Sequence, residues 1–160
     1  MAGNRGQMIT ARVRGGFSMI ELLVVVVIAA VLMTIGTNKF RKFEKYQSIQ
    51  NASNAVIQLA RRARSAAIEK GTTVQLDIDA TNMRAVVSVG GTAIDRIYFS
   101  ELGVTSVVNS TGATITVCYN ARGFALTSTC STALPATVTF SRADQSGVVT
   151  VQALGRIVKS

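Results

Sequence analysis

Gly15-Gly16-Phe17-Ser18-Met19-Ile20-Glu21-Leu22-Leu23-Val24-Val25-Val26-Val27-Ile28-Ala29-Ala30-Val31-Leu32-Met33-Thr34-Ile35 decides the fold. From Phe17 to Gly36 there are 20 residues and one charge, Glu21. As a helix this stretch is about 30 Å long, the thickness of a bilayer core. A carboxylate at the edge of such a span is costly unless something pairs with it, or unless it snorkels to the interface. Glu21 is therefore the first candidate functional residue.

The flanks of the span carry further information. Residues 1–16 hold Arg5, Arg12 and Arg14, hold no acid, and end in Gly15-Gly16. A secretory signal peptide is cut after its apolar region, at small residues in an A-x-A-like pattern. Thr34 to Phe40 reads T-I-G-T-N-K-F and offers no such site. Lys39, Arg41, Lys42 and Lys45 follow the span, so the charge count across it is nearly balanced and does not by itself fix orientation.

The run Gly16-Phe17-Ser18-Met19-Ile20-Glu21-Leu22-Leu23-Val24 resembles the class III leader of type IV pilins and type II secretion pseudopilins. The resemblance implies that a membrane-bound prepilin peptidase cuts between Gly16 and Phe17 and methylates the new N-terminal Phe17, leaving the span in place. It also implies a partner for Glu21, the α-amino group of a neighbouring subunit's Phe17. Opposite charges attract strongly where the dielectric is low, and each alone is expensive there.

The whole chain is basic, with 17 Lys+Arg against 8 Asp+Glu and a net charge of +9. Loss of the three leader arginines would bring the side-chain charge to about +6. About 120 residues follow the span, enough for one small domain. From Lys39 to Lys70 there is neither Pro nor Gly, and Phe40, Phe43, Ala52, Val56, Leu59, Ala63 and Ala66 recur at spacings of three and four. That spacing predicts an amphipathic continuation of the helix, with a polar gap at Gln47 and a C-cap at Gly71. Any bend at the junction would rest on Gly36 and the Thr37-Asn38 pair.

Beyond Gly71 the period changes to two. Strands are expected over Thr73–Ile78, Arg84–Val89, Arg96–Ser100, Val104–Val108, Thr114–Tyr119, Thr137–Ser141 and Val148–Gln152. Turn signals at Thr81-Asn82, Gly90-Gly91, Asn109-Ser110-Thr111-Gly112, Asn120-Ala121-Arg122-Gly123 and Asp144-Gln145-Ser146-Gly147 separate them, and Leu154-Gly155 then turns the chain into Arg156–Lys159. The expected fold is α+β: a long N-terminal helix, its first half transmembrane, packed on antiparallel sheets. The segments are a leader over 1–16, a membrane or filament-core helix over 17–38, its amphipathic continuation over 39–71, and a β-rich periplasmic part over 72–160.

Leu59-Ala60-Arg61-Arg62-Ala63-Arg64-Ser65-Ala66-Ala67-Ile68, Cys118-Tyr119-Asn120-Ala121-Arg122-Gly123-Phe124, Val138-Thr139-Phe140 and Val149–Val158 resemble the GspH/FimT family of minor pseudopilins and minor pilins. That resemblance implies a structural subunit, anchored in the bacterial inner membrane and joined to other pilins or pseudopilins in a filament. Glu21 at its expected place argues against the first position in that filament.

Cys118 and Cys130 are the only cysteines. An even pair in an oxidising compartment suggests a Cys118–Cys130 disulfide, with two unpaired thiols in a β-region as the alternative. Some FimT proteins bind DNA through a C-terminal G-R-x-R motif. Here Gly155-Arg156-Ile157-Val158-Lys159 keeps Gly-Arg but has Val158 at the second Arg. In a strand, Lys159 one place later faces the other side. Arg156, Lys159, Arg122 and Arg142 are thus the candidate DNA contacts, against a plain solvated hairpin. The Arg61-Arg62-Arg64 group reads as solvent-facing or subunit-bridging.

Catalysis and cofactors are not expected. The chain has no His, so acid–base work would fall to Asp, Glu, Lys or Tyr, and the Ser/Thr hydroxyls have no base to activate them. Asp77 and Asp79 share one face of a strand, but calcium needs six or more oxygens, so turn capping accounts for them better. No metal site is expected.

Overall fold

The computed structural model describes residues 18–126, 130 and 132–159, the side chains of 35–38 excepted. One helix, α1, spans Met19–Lys70 and takes in the Gly36 region. Its first turn hangs on the Ser18 carbonyl, which accepts from the amides of Glu21 (3.0 Å) and Leu22 (3.2 Å). It ends where Gly71 takes a left-handed φ of 63°, a conformation that costs glycine little. Gly16 and Phe17 lie outside the described residues.

The chain separates into two compact units at the Lys39/Phe40 boundary. In the first, Met19 to Met33 is solvent-exposed on every face. An 18-residue window of α1 has a mean hydropathy of 2.7, so the helix is long and apolar enough to cross a membrane. The Thr34 hydroxyl donates within the helix to the Ala30 carbonyl at 2.9 Å.

The second unit contains the rest of α1 and two four-stranded antiparallel sheets. One sheet has the order β3-β2-β1-β5, formed by β1 (Val74–Asp79), β2 (Arg84–Val89), β3 (Thr92–Tyr98) and β5 (Thr114–Tyr119). The other has the order β4-β6-β7-β8, formed by β4 (Ser106–Asn109), β6 (Ala136–Arg142), β7 (Gln145–Val151) and β8 (Ile157–Lys159). Alternate residues of β1, β5 and β6 point inward, as period-two patterning requires. They meet Ile49, Ala52, Val56, Leu59, Ala60, Ala63 and Ala67 of α1 in one core. Phe99 and Phe140 join it with ring centroids 4.9 Å apart.

Four details depart from the sequence expectation. Phe40 and Phe43 stand exposed (68% and 57%) rather than continuing the buried stripe. The β6–β7 turn meets the helix at Glu44, Lys45 and Ser48, and core burial begins at Ile49. Second, β3 begins at Thr92, four residues before the expected Arg96. Gly90 and Gly91, with φ of 56° and 83°, make a two-residue hairpin whose second strand is an exposed edge without apolar alternation.

Third, β7 begins at Gln145. The turn is only Ala143-Asp144, and Gly147 lies inside the strand. A Cβ there would collide with Ile49 Cγ2, so this glycine admits the helix rather than turning the chain. Fourth, Asn109 is a buried strand end rather than a turn residue. Its Nδ2 donates to the carbonyls of Ile78 (2.9 Å) and Ala113 (3.0 Å), tying the two sheets together.

Candidate functional site

Glu21 sits in the first turn of α1, exposed among exposed Met19, Ile20, Leu22, Leu23, Val24 and Val25. A carboxylate in the first helical turn is favoured by the partial positive charge of the unpaired amides there. The surrounding apolar surface has no covering group among the described residues. This is a side chain and a helix face that need an external partner.

Cys118 and Cys130 are disulfide-bonded, with their Cα atoms 5.8 Å apart, a normal span for such a bridge. The bridge holds the segment after β5 along that strand's open edge. There the Leu126 amide donates to the Cys118 carbonyl at 2.8 Å. Thr132 exchanges a pair of bonds with Thr116: its amide donates to the Thr116 carbonyl, and its Oγ1 accepts from the Thr116 amide, both at 2.8 Å.

The four candidate DNA contacts do not share one cleft. Arg142 donates to Glu44 Oε1 (2.9 Å) and to Ser48 Oγ, so its charge is answered within the fold. Lys159 lines a cleft beside Tyr46, Gln50 and Ser146. Arg156 lines a different one, with Arg61 and Arg64 of the helix. Arg122 is exposed in the turn after β5, its amide held by Asn120 Oδ1 at 3.0 Å.

The helical arginines divide. Arg62 pairs with Asp95 of β3, while Arg61 and Arg64 face the hairpin. At the floor of the Arg156 cleft lies Tyr119, whose hydroxyl donates to the Gly155 carbonyl at 3.3 Å. Burial pushes its pKa up to about 12, and the Arg64 charge opposes that shift. Gly155, at φ 79°, lets the terminal hairpin press onto this ring; a Cβ there would stand 2.8 Å from Tyr119 Cε1 and from Ala125 Cβ. The sequence pointed separately to Arg156 and to the Arg61-Arg62-Arg64 group, but not to their meeting, since they lie nearly a hundred residues apart along the chain.

Asp77 and Asp79 serve the fold. Asp77 accepts from Thr116 Oγ1 at 2.7 Å and from Gln75 Nε2 at 2.9 Å. Asp79 caps the β1–β2 turn, accepting from the Asn82 amide at 2.9 Å and from its side chain. Those Asn82 bonds hold the Asp79 carboxyl below the usual carboxylate range, with Arg84 adding to the effect. Asp144 is lowered likewise, first by its hydrogen bond from Lys45. Among the described residues, no group of three or more His, Cys, Asp or Glu side chains could hold a metal ion.

Residues 11–37 match the family model described as the prokaryotic N-terminal methylation motif. No curated protein sequence matches the chain. Among solved structures, the chain is similar to the type IV minor pilin FimU of Pseudomonas aeruginosa. The two share 15% identity and a TM-score of 0.54 over 74% of this chain and 92% of that one. It is also similar to EpsH, a minor pseudopilin from the Type 2 Secretion System of Vibrio cholerae. Here identity is 14% and the TM-score 0.51, over 71% and 96% of the two chains. The chain thus carries a prokaryotic N-terminal methylation motif over residues 11–37 and, behind it, a fold like that of a type IV minor pilin and a minor pseudopilin.

Proposed function

We propose that this chain is a minor structural subunit of a type IV pilus or a type II secretion pseudopilus. The apolar part of α1 anchors it in the bacterial inner membrane with the sheets in the periplasm. A prepilin peptidase removes residues 1–16 and methylates Phe17. The subunit then joins other pilins or pseudopilins through α1, and Glu21 receives the α-amino group of a neighbour's Phe17. The subunit carries no catalysis.

One observation carries this reading: an all-apolar, uncovered helix whose only charge from Ser18 to Thr34 is a carboxylate in its first turn. Burial of that helix among others of its kind is favourable only if the carboxylate is neutralised, because a lone charge in such surroundings costs several kcal/mol, of order ~3 or more. Small Ala29 and Ala30 allow close approach of neighbouring helices.

Glu21→Val tests the role. The variant is expected to insert and lose its leader normally, as read by the mass of its N-terminus, yet to be absent from sheared filaments. Incorporation at the wild-type level would remove the pairing role.

A further inference from the structure

We infer that the cleft between α1 and the terminal hairpin is a docking site for an acidic peptide segment of another protein, one in which carboxylates flank an aromatic or aliphatic side chain. The cleft has a volume of about 460 Å³ and draws its walls from three separate parts of the chain. Arg61 and Arg64 come from the helix, Phe124 from the turn after β5, and Leu154 and Arg156 from the hairpin.

All three arginines are exposed, and among the described residues none of their guanidinium groups has a hydrogen bond or an ion pair. Elsewhere on the same unit, Lys45, Arg62 and Arg142 are each matched to a carboxylate. Three unanswered positive charges thus stand around one cleft. They lie beside apolar groups that are themselves uncovered: Phe124 is 50% exposed and Leu154 68%. Guanidinium groups bind carboxylates through paired, directional hydrogen bonds, and aromatic and Arg side chains are the usual anchors of protein interfaces.

Charge and shape together select the occupant. A second copy of this chain does not fit. Its one acid–apolar–acid run, Asp77-Ile78-Asp79, has Ile78 fully buried and both carboxylates engaged in the fold. A nucleic-acid duplex offers phosphates along an extended track and no apolar group to fill the cleft beside Phe124 and Leu154. A short segment with one apolar anchor between carboxylates satisfies both walls. The site is also preorganised: Gly123 lies so close to Arg64 that a Cβ there would stand 3.0 Å from Nε, and Tyr119 bonds the hairpin from below.

The test uses the full chain in detergent micelles and a fluorescein-labelled peptide of sequence GDFDLEG, read by anisotropy. Saturable binding is expected. It should weaken about tenfold in Arg64→Ala and in Arg156→Ala, and similarly when Phe and Leu of the peptide are changed to Ser. Arg96→Ala removes the same charge from exposed β3 and should leave affinity within about twofold. Arg61→Ala serves as a second helix variant should Arg64→Ala disturb the adjoining turn. Three results would overturn the inference: no saturable binding up to about 1 mM peptide; equal weakening by Arg96→Ala and Arg64→Ala, which would make the attraction one of net charge; or displacement of the peptide by a single-stranded oligonucleotide that binds more tightly at the same salt, which would assign the cleft to nucleic acid.

Discussion

The two halves of α1 both present apolar residues and meet opposite fates. Met19 to Met33 is apolar on every side and exposed on every side. Ile49 to Ala67 is apolar on one side only, and that side is fully covered by the sheets of the same chain. The difference teaches that apolarity alone does not say where a helix is buried; its angular distribution does. A stripe can be satisfied by one sheet, whereas a full cylinder needs surroundings on all sides, as lipid or a bundle of like helices provides.

The comparison is open to direct attack. Phe140→Ala should cost about 3–5 kcal/mol, because it empties a site at the centre of the shared core, where this ring meets Phe99. Val26→Ala, in the uncovered half, should change folding stability by less than about 0.5 kcal/mol. Urea denaturation of both variants in detergent checks the pair. Equal losses would mean that the first half of α1 is covered within the chain after all.

Removing the bridge by Cys118→Ser should cost about 3 kcal/mol in the chain-entropy picture, since a closed loop of 12 residues' separation is released. The same denaturation under reducing conditions should bring the wild type down to the variant.

The smallest expected effect is at Asp79. Asp79→Ala should cost about 1 kcal/mol or less, because its bonds to Asn82 are exposed and screened by solvent. The folded pKa is depressed below the ordinary 3.8, so this contribution is complete above that pH and is lost as pH falls through the lowered value. The variant's stability should therefore fall less than wild type's between neutral pH and the acid limb.

The helix was legible because its periodicity is regular and its end is marked by Gly71. Six strands could be read within two or three residues for a similar reason, since one face of each is buried. The edge strand β3 could not, because Thr92, Ala93 and Ile94 face solvent and carry no alternation. Gly147 was misread as a turn signal because the sequence does not show that Ile49 occupies its side-chain space. Glu21 was visible as a lone charge in an apolar run. The arginine cleft was not, since it exists only where helix, turn and hairpin converge, and spacing along the chain carries no trace of that meeting.

The bridged segment along β5 has a compartmental consequence. While the sulfurs are joined, the outer amides and carbonyls of that strand are occupied by residues 126 and 132. A chain held among cytoplasmic thiols would loosen this cover and present a bare strand margin to its siblings, the usual seed of clumping. Protection of that strand margin against self-association thus hangs on a single covalent bond.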